Sequence, residues 1–155
     1  MSTRQLRAAL ELIAGATYDS SARPAEGTLD CTRFGYAFLL RWLGPALADH
    51  KSAMHIASGG GPWENIEALL SMGVASEPGS MAKGWWYCQG WRQLDPVPSG
   101  GHCWIWCASK DGTKGLILQA TNAPHPWVEM RTWEAQCKRF PAGVRAVRID
   151  VPWAP

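Results

Sequence analysis

The segment CTRFGYAFLLRWL, residues 31–43, constrains the fold more than any other. Phe34, Ala37, Phe38, Leu40 and Trp42 make it apolar almost all round, and Gly44-Pro45 stops it. A helix with an apolar perimeter must be covered on every side, so the rest of the chain has to supply layers around it. With 155 residues, the chain can build one such core and reads as a single domain, residues 1–155.

The flanking segments supply those layers. Leu6, Ala9, Leu10 and Ile13 recur at helical spacing before Gly15, which predicts an amphipathic helix over 3–14. YDSSARPAEGT reads as loop. GPWENIEALLSMG predicts a third helix, with Pro62 in its first turn, Ile66, Leu69 and Leu70 on one face, and Gly73 as terminator. After residue 83 the texture changes to short aromatic or β-branched runs broken by Gly, Pro or Asp-Gly: GWWYCQGWR, HCWIWCAS, GLILQAT, WVEMRTW and VRAVRIDV. SKDGTKG carries a hairpin signal, so HCWIWCAS and GLILQAT should pair antiparallel. In VRAVRID, the apolar residues roughly alternate with Arg145, Arg148 and Asp150, as in a strand with one wet face. Helices followed by an antiparallel sheet of about five or six strands make an α+β domain.

Composition narrows the function classes. Charged residues are 18%, apolar residues 46% and the net charge is +2, a globular balance with no nucleic-acid surface. The N-terminal stretch has basic and apolar residues, but Glu11 interrupts it, so it reads as a mature helix and not a signal peptide. No run approaches the ~18 apolar residues of a membrane span. Five cysteines without a CxxC pair favour neither a disulfide framework nor a zinc knuckle. At least one thiol should be free, and neither a metal nor a cofactor is expected. His50, His55 and His125 read as loop histidines. Ten tryptophans, seven of them between Trp85 and Trp133, mean either a Trp-rich core or an aromatic cleft wall.

The chemistry is read from Cys31. A cysteine opening a helix has its thiolate stabilised by the helix dipole and by unpaired N–H groups. Alone it would more often pack than react. His102, at the start of a strand after a Ser-Gly-Gly turn, can share the thiol proton and later protonate a leaving amine. Gln119, polar in the apolar run LILQAT, can fix the imidazole through its second nitrogen. Strand alternation puts His102, Trp104 and Trp106 on one face and Cys103 and Cys107 on the other, toward the core.

Cysteine on a helix, histidine on a following strand and a polar residue on the next strand is the order of papain-like cysteine enzymes. The sequence resembles the NlpC-type cell-wall peptidases. Tyr18 precedes the Asp30-Cys31 pair at the family's spacing, Gly101-His102 matches its Gly-His, and Gln119-Ala120-Thr121 falls where the family often has His-Ala-Ser. The chain departs from the pattern at Thr32-Arg33, where the family has Ser-Gly, and at Asp19-Ser20-Ser21, where it has a Gly-rich turn. A Cys-Thr start and a hairpin ending in Gln and Asn also resemble the neighbouring CHAP amidases, in which Asn122 would rival Gln119 for the third position.

The resemblance implies a papain-like fold with the Cys-bearing helix packed on the sheet. It implies Cys31 as nucleophile, His102 as base, Gln119 as orienting residue, and Tyr18 with the Cys31 N–H around the oxyanion. Trp104, Trp106 and Asp30 are assigned to substrate binding. The implied activity is hydrolysis of an amide bond in peptidoglycan stem peptides, most simply the D-Glu to diamino-acid linkage. With no signal peptide read, the enzyme would be made in the cytoplasm and reach the wall through a phage or a secretion machine, with an immunity protein as a possible partner. Two rivals remain: a papain-like deamidase or acyl transferase, and a non-catalytic domain binding through its tryptophans.

Overall fold

The aromatic runs after residue 83 pair into one antiparallel sheet. In the computed structural model, which describes residues 3–20, 26–44, 47, 62–122 and 127–153, its strands are β3 (Ala75–Ser76), β4 (Gly84–Gln93), β5 (Ser99–Ala108), β6 (Lys114–Leu118), β7 (Val128–Thr132) and β8 (Gly143–Ile149). Their spatial order is β3-β8-β4-β5-β6-β7, with every neighbouring pair antiparallel. The last strand in sequence therefore sits inside the sheet, against β4. The long β4–β5 hairpin forms its centre, and the Asp-Gly turn between β5 and β6 is formed as predicted, with Gly112 at φ +76°. A separate two-residue parallel ladder joins β1 (Thr17–Tyr18) to β2 (Thr28–Leu29).

The helices are α1 (Thr3–Ile13), α2 (Cys31–Leu43), α3 (Glu64–Ser71) and α4 (Trp133–Lys138). Helix α2 is the predicted apolar segment, residue for residue. Its Phe34, Phe38, Leu39 and Trp42 are buried against Trp85, Tyr87, Ile105 and Val147 of the sheet. Phe38 sits among three indoles, with ring centroids 6.0 Å from Trp42, 5.7 Å from Trp85 and 6.1 Å from Trp153. Trp42 Nε1 donates to the Val151 carbonyl at 2.8 Å, tying the C-terminal residues to this layer.

A second apolar cluster covers the other face of the sheet: Trp86, Cys88, Trp104, Trp106, Ile117 and Phe140, closed over by Trp133 of α4. Seven of the ten tryptophans are buried, so the core reading of the aromatic composition holds. Trp104 and Trp106 are both 0% exposed. Their assignment to substrate binding is therefore corrected: they are enclosed against α4 and Phe140.

Three local expectations also change. Leu10 is 44% exposed while Ala8 and Ala9 are buried, because α1 approaches α2 through small residues, with Arg41 reaching across to the Ala8 carbonyl and Glu11. WVEMRTW is not all strand. Thr132 ends β7 and caps α4, its Oγ1 accepting from Ala135 N at 3.1 Å. Strand β8 has no single wet face, since Val147 and Ile149 enter the α2-side core while Val144 and Ala146 pack on the second cluster. Pro45 and the loop histidines His50, His55 and His125 lie outside the described residues. Among the described residues, no helix is long and apolar enough to cross a membrane.

Candidate active site

Helix α2 starts at the cysteine because Asp30 caps it. Asp30 is extended (φ −111°, ψ 179°), and its Oδ1 accepts from Arg33 N at 2.7 Å. The carboxylate is 2% exposed and close to the Arg33 guanidinium, at 3.7 Å. Burial pushes its pKa up, against the pull of the Arg33 N–H. This corrects the assignment of Asp30 to substrate binding: it is enclosed, and its oxygen is committed to the helix. Cys31 is thereby the first helical residue, where N–H groups have no partner within the helix.

The parallel ladder explains the spacing between Tyr18 and Cys31. Tyr18 stands opposite Leu29, two residues before the cysteine. Its hydroxyl hydrogen-bonds Ser20, and its pKa is raised by burial first and further by the nearby Cys31 and Asp30 charges. Arg33 locks this corner. It donates to the Thr28 carbonyl at 3.1 Å and to the Asp19 carbonyl beside Tyr18. Arg33 thus holds the Tyr18 segment to the start of α2.

His102 and Gln119 meet because the β5–β6 ladder stops early. The last registered pair is Ile105↔Leu118. Beyond it Gln119 turns away, its N–H donating to the Trp127 carbonyl at 3.0 Å, and its buried side chain (3% exposed) crosses to His102. Gln119 Oε1 lies 2.7 Å from His102 Nε2. With the amide oxygen on Nε2, that nitrogen carries the proton and Nδ1 is left for the thiol. Asn122, the rival for this position, is exposed.

The imidazole is also held from behind. It stacks on Trp104 (centroids 5.9 Å, 20°) and on Phe140 (6.0 Å, 11°). Phe140 reaches it through the gap over Gly90, which pairs with His102 across the hairpin. A Cβ on Gly90 would lie 2.5 Å from Phe140 Cγ, so this position requires glycine.

Cys31, half-buried, packs on the α2-side core that also contains Cys103 of β5. Its pKa is held well below the usual thiol range, first by a hydrogen bond from the Cys103 side chain, then by the hydrogen bond and positive charge of His102 and by the Cys103 backbone; burial opposes them. Cys103 is pushed the other way, first by its interaction with Cys31 and then by burial. The Thr32 hydroxyl lies 3.8 Å from both sulfurs. Sequence reasoning placed Cys103 correctly on the α2 face but gave it only a packing role. The missed signal was its adjacency to His102: a strand that brings its histidine to a helix start brings the next, opposite-facing residue there as well.

The arrangement therefore gathers Cys31, His102, Gln119 and Tyr18 as expected, adds Cys103, Thr32 and Phe140, and excludes Trp104, Trp106 and Asp30 from substrate contact. All five cysteines are free thiols. Among the described residues, no cluster of His, Cys, Asp or Glu could hold a metal ion. A cavity of about 860 Å³ opens between the β5–β6 turn and α4, lined by Met81, Asp111, Lys114, Trp133 and Phe140 among others. It contains none of the four gathered residues and touches the site only through the Phe140 ring. No protein-family model, curated protein or solved structure matches the chain.

Proposed function

We propose that the chain is a cysteine hydrolase of papain-like, NlpC-type architecture that cleaves an amide bond in peptidoglycan stem peptides. The observation that carries the chemistry is the line from Cys31 at the start of α2, through the His102 ring, to Gln119 Oε1 at 2.7 Å. A thiol with a lowered pKa attacks the carbonyl carbon, and the tetrahedral oxyanion forms beside the Cys31 N–H, which has no partner within its helix, and the Tyr18 hydroxyl. His102, carrying the thiol proton on Nδ1, passes it to the departing amine. The resulting thioester is hydrolysed by a water that the same nitrogen deprotonates. Gln119 keeps the ring in the one orientation that serves both steps. No step uses a cofactor. The wall substrate, the D-Glu to diamino-acid bond, and delivery by a phage or secretion machine with an immunity partner rest on the resemblance in sequence.

Incubating purified peptidoglycan with wild type and with Cys31→Ala, and identifying the fragments by mass spectrometry, tests this. Release of new stem-peptide amines by wild type and none by Cys31→Ala is the expected result. Fragments carrying a deamidated or transferred group would move the enzyme to the deamidase or acyl-transferase class. The cavity bearing the Trp133 ring favours a second reading, a non-catalytic glycan- or peptide-binding domain. Full biological activity of Cys31→Ala would select that reading and end the hydrolase proposal.

A further inference from the structure

Cys103 has no part in the acyl-transfer steps, yet its sulfur is beside the nucleophile. The Cys103 thiol donates to the Thr32 hydroxyl at 3.8 Å, and the same hydroxyl lies 3.8 Å from the Cys31 sulfur, so the two thiols flank one side chain. The remaining thiols are elsewhere. Cys88 is sealed in the cluster on the opposite sheet face, Cys107 is four residues further along β5 opposite Trp85 and Leu116, and Cys137 is on α4.

We propose that Cys31 and Cys103 form an oxidisable dithiol: a hydroperoxide oxidises Cys31, and Cys103 resolves the product as an intramolecular disulfide that reversibly masks the nucleophile. This inference requires a reactive Cys31 but not the hydrolase reading, since it concerns thiols alone.

The order of events follows from exposure and charge. Cys31 is half-buried and reachable, while Cys103 is buried behind it. The Cys31 thiolate attacks the outer oxygen of the hydroperoxide. An S–O bond forms, the O–O bond breaks, and the alkoxide (hydroxide for hydrogen peroxide) leaves with the proton that His102 holds. Cys31 is then an uncharged sulfenic acid, which removes the negative neighbour that held the Cys103 proton in place. Cys103 gives up that proton and its sulfur attacks the sulfenic sulfur. The S–S bond forms, the S–O bond breaks, and the oxygen departs as water. In total, two thiols and one hydroperoxide become one disulfide, one alcohol (or water) and one water. A strand-borne thiol whose neighbours fix its direction is suited to resolving, because it needs no loop movement to reach its partner.

The test is a peptide map of the intact protein treated with stoichiometric hydrogen peroxide, blocked with iodoacetamide and digested without reductant. Wild type should lose two hydrogens and yield one cross-linked species containing Cys31 and Cys103. Dithiothreitol should then restore alkylation of both. In Cys103→Ala, Cys31 should instead gain two or three oxygens irreversibly. Wild-type Cys31 that accumulates sulfinic acid while Cys103 remains alkylatable overturns the proposal. So does a disulfide between any other pair, or a Cys31 that stays unoxidised. These wild-type outcomes decide the matter even if the variant fails to fold. A protein that forms this disulfide with peroxide yet, when fully reduced, leaves peptidoglycan intact would sink the hydrolase reading and leave this one standing.

Discussion

Replacing Gln119 by Leu removes the acceptor on His102 Nε2 while keeping the side chain's bulk in a site only 3% exposed. When Cys31 is ionised and His102 charged, the lost contact is a charge-assisted hydrogen bond, which contributes about 1.5–3 kcal/mol. No compensating water is expected in so enclosed a place. One pKa unit corresponds to about 1.4 kcal/mol, so the thiolate–imidazolium pair loses roughly one to two units of its advantage over the neutral pair. The pH profile of Cys31 alkylation should move upward by that amount. Iodoacetamide rates measured across neutral and alkaline pH, with the Cys31 peptide quantified by mass spectrometry, read this without knowledge of the substrate. Gln119→His, which restores an acceptor, should recover much of the shift, and Asn122→Ala should cause none. An unchanged Cys31 profile in Gln119→Leu, or a shift only in Asn122→Ala, would refute the assignment of Gln119 as the residue that orients His102.

Other outcomes follow from packing and ionisation. Trp104→Ala should lower the unfolding free energy by about 3–5 kcal/mol in urea, as for a large buried ring; a loss under about 0.5 kcal/mol would restore it to a surface role. Asp30→Ala removes the α2 cap, costing about 1 kcal/mol, and should lower Tm by about 2–4 °C in a domain of this size. Stability should respond to pH in two opposite ways. Cys31 has a lowered folded-state pKa, so its contribution is complete above the ordinary thiol pKa of ~8.5 and is lost as pH falls through its folded value. Burial holds the Cys88 thiol well above that range; its contribution is present below pH ~8.5 and declines above it, by at most about 1.4 kcal/mol per pH unit. Denaturation curves of Cys31→Ala and Cys88→Ala against pH should flatten the acidic and alkaline sides respectively.

Much of this was legible because it is local. The limits of α2 were legible from its apolar perimeter and terminal Gly44-Pro45, while the Asp30 cap that fixes its start emerged only from the structure. The β5–β6 hairpin was set by its Asp-Gly turn, which puts Gln119 near the strand that carries His102, but their contact also needs the ladder to end at Ile105↔Leu118. What failed was local pattern standing in for partners that lie far off in sequence. Leu10 has the spacing of a buried residue, but α1 meets α2 through alanines. Trp104 shares His102's face, as alternation required, yet whether that face opens to solvent depends on α4 and Phe140, elements that lie far downstream in sequence.

The sequence by itself therefore determined the chemistry-bearing elements: a cysteine at a helix start, a histidine on a strand, a glutamine just past the end of that strand's hairpin partner, and a chain that alternates and turns as those elements need. Only the tertiary structure decided what surrounds them. It inserted β8 into the sheet, covered the second face with tryptophans, stacked Phe140 over Gly90 onto the imidazole, and ended the β5–β6 ladder at Ile105. Helix caps, turns and alternation are contests between neighbouring residues and can be read from a string, whereas burial and the meeting of two sulfurs depend on which distant surfaces exclude water from each other.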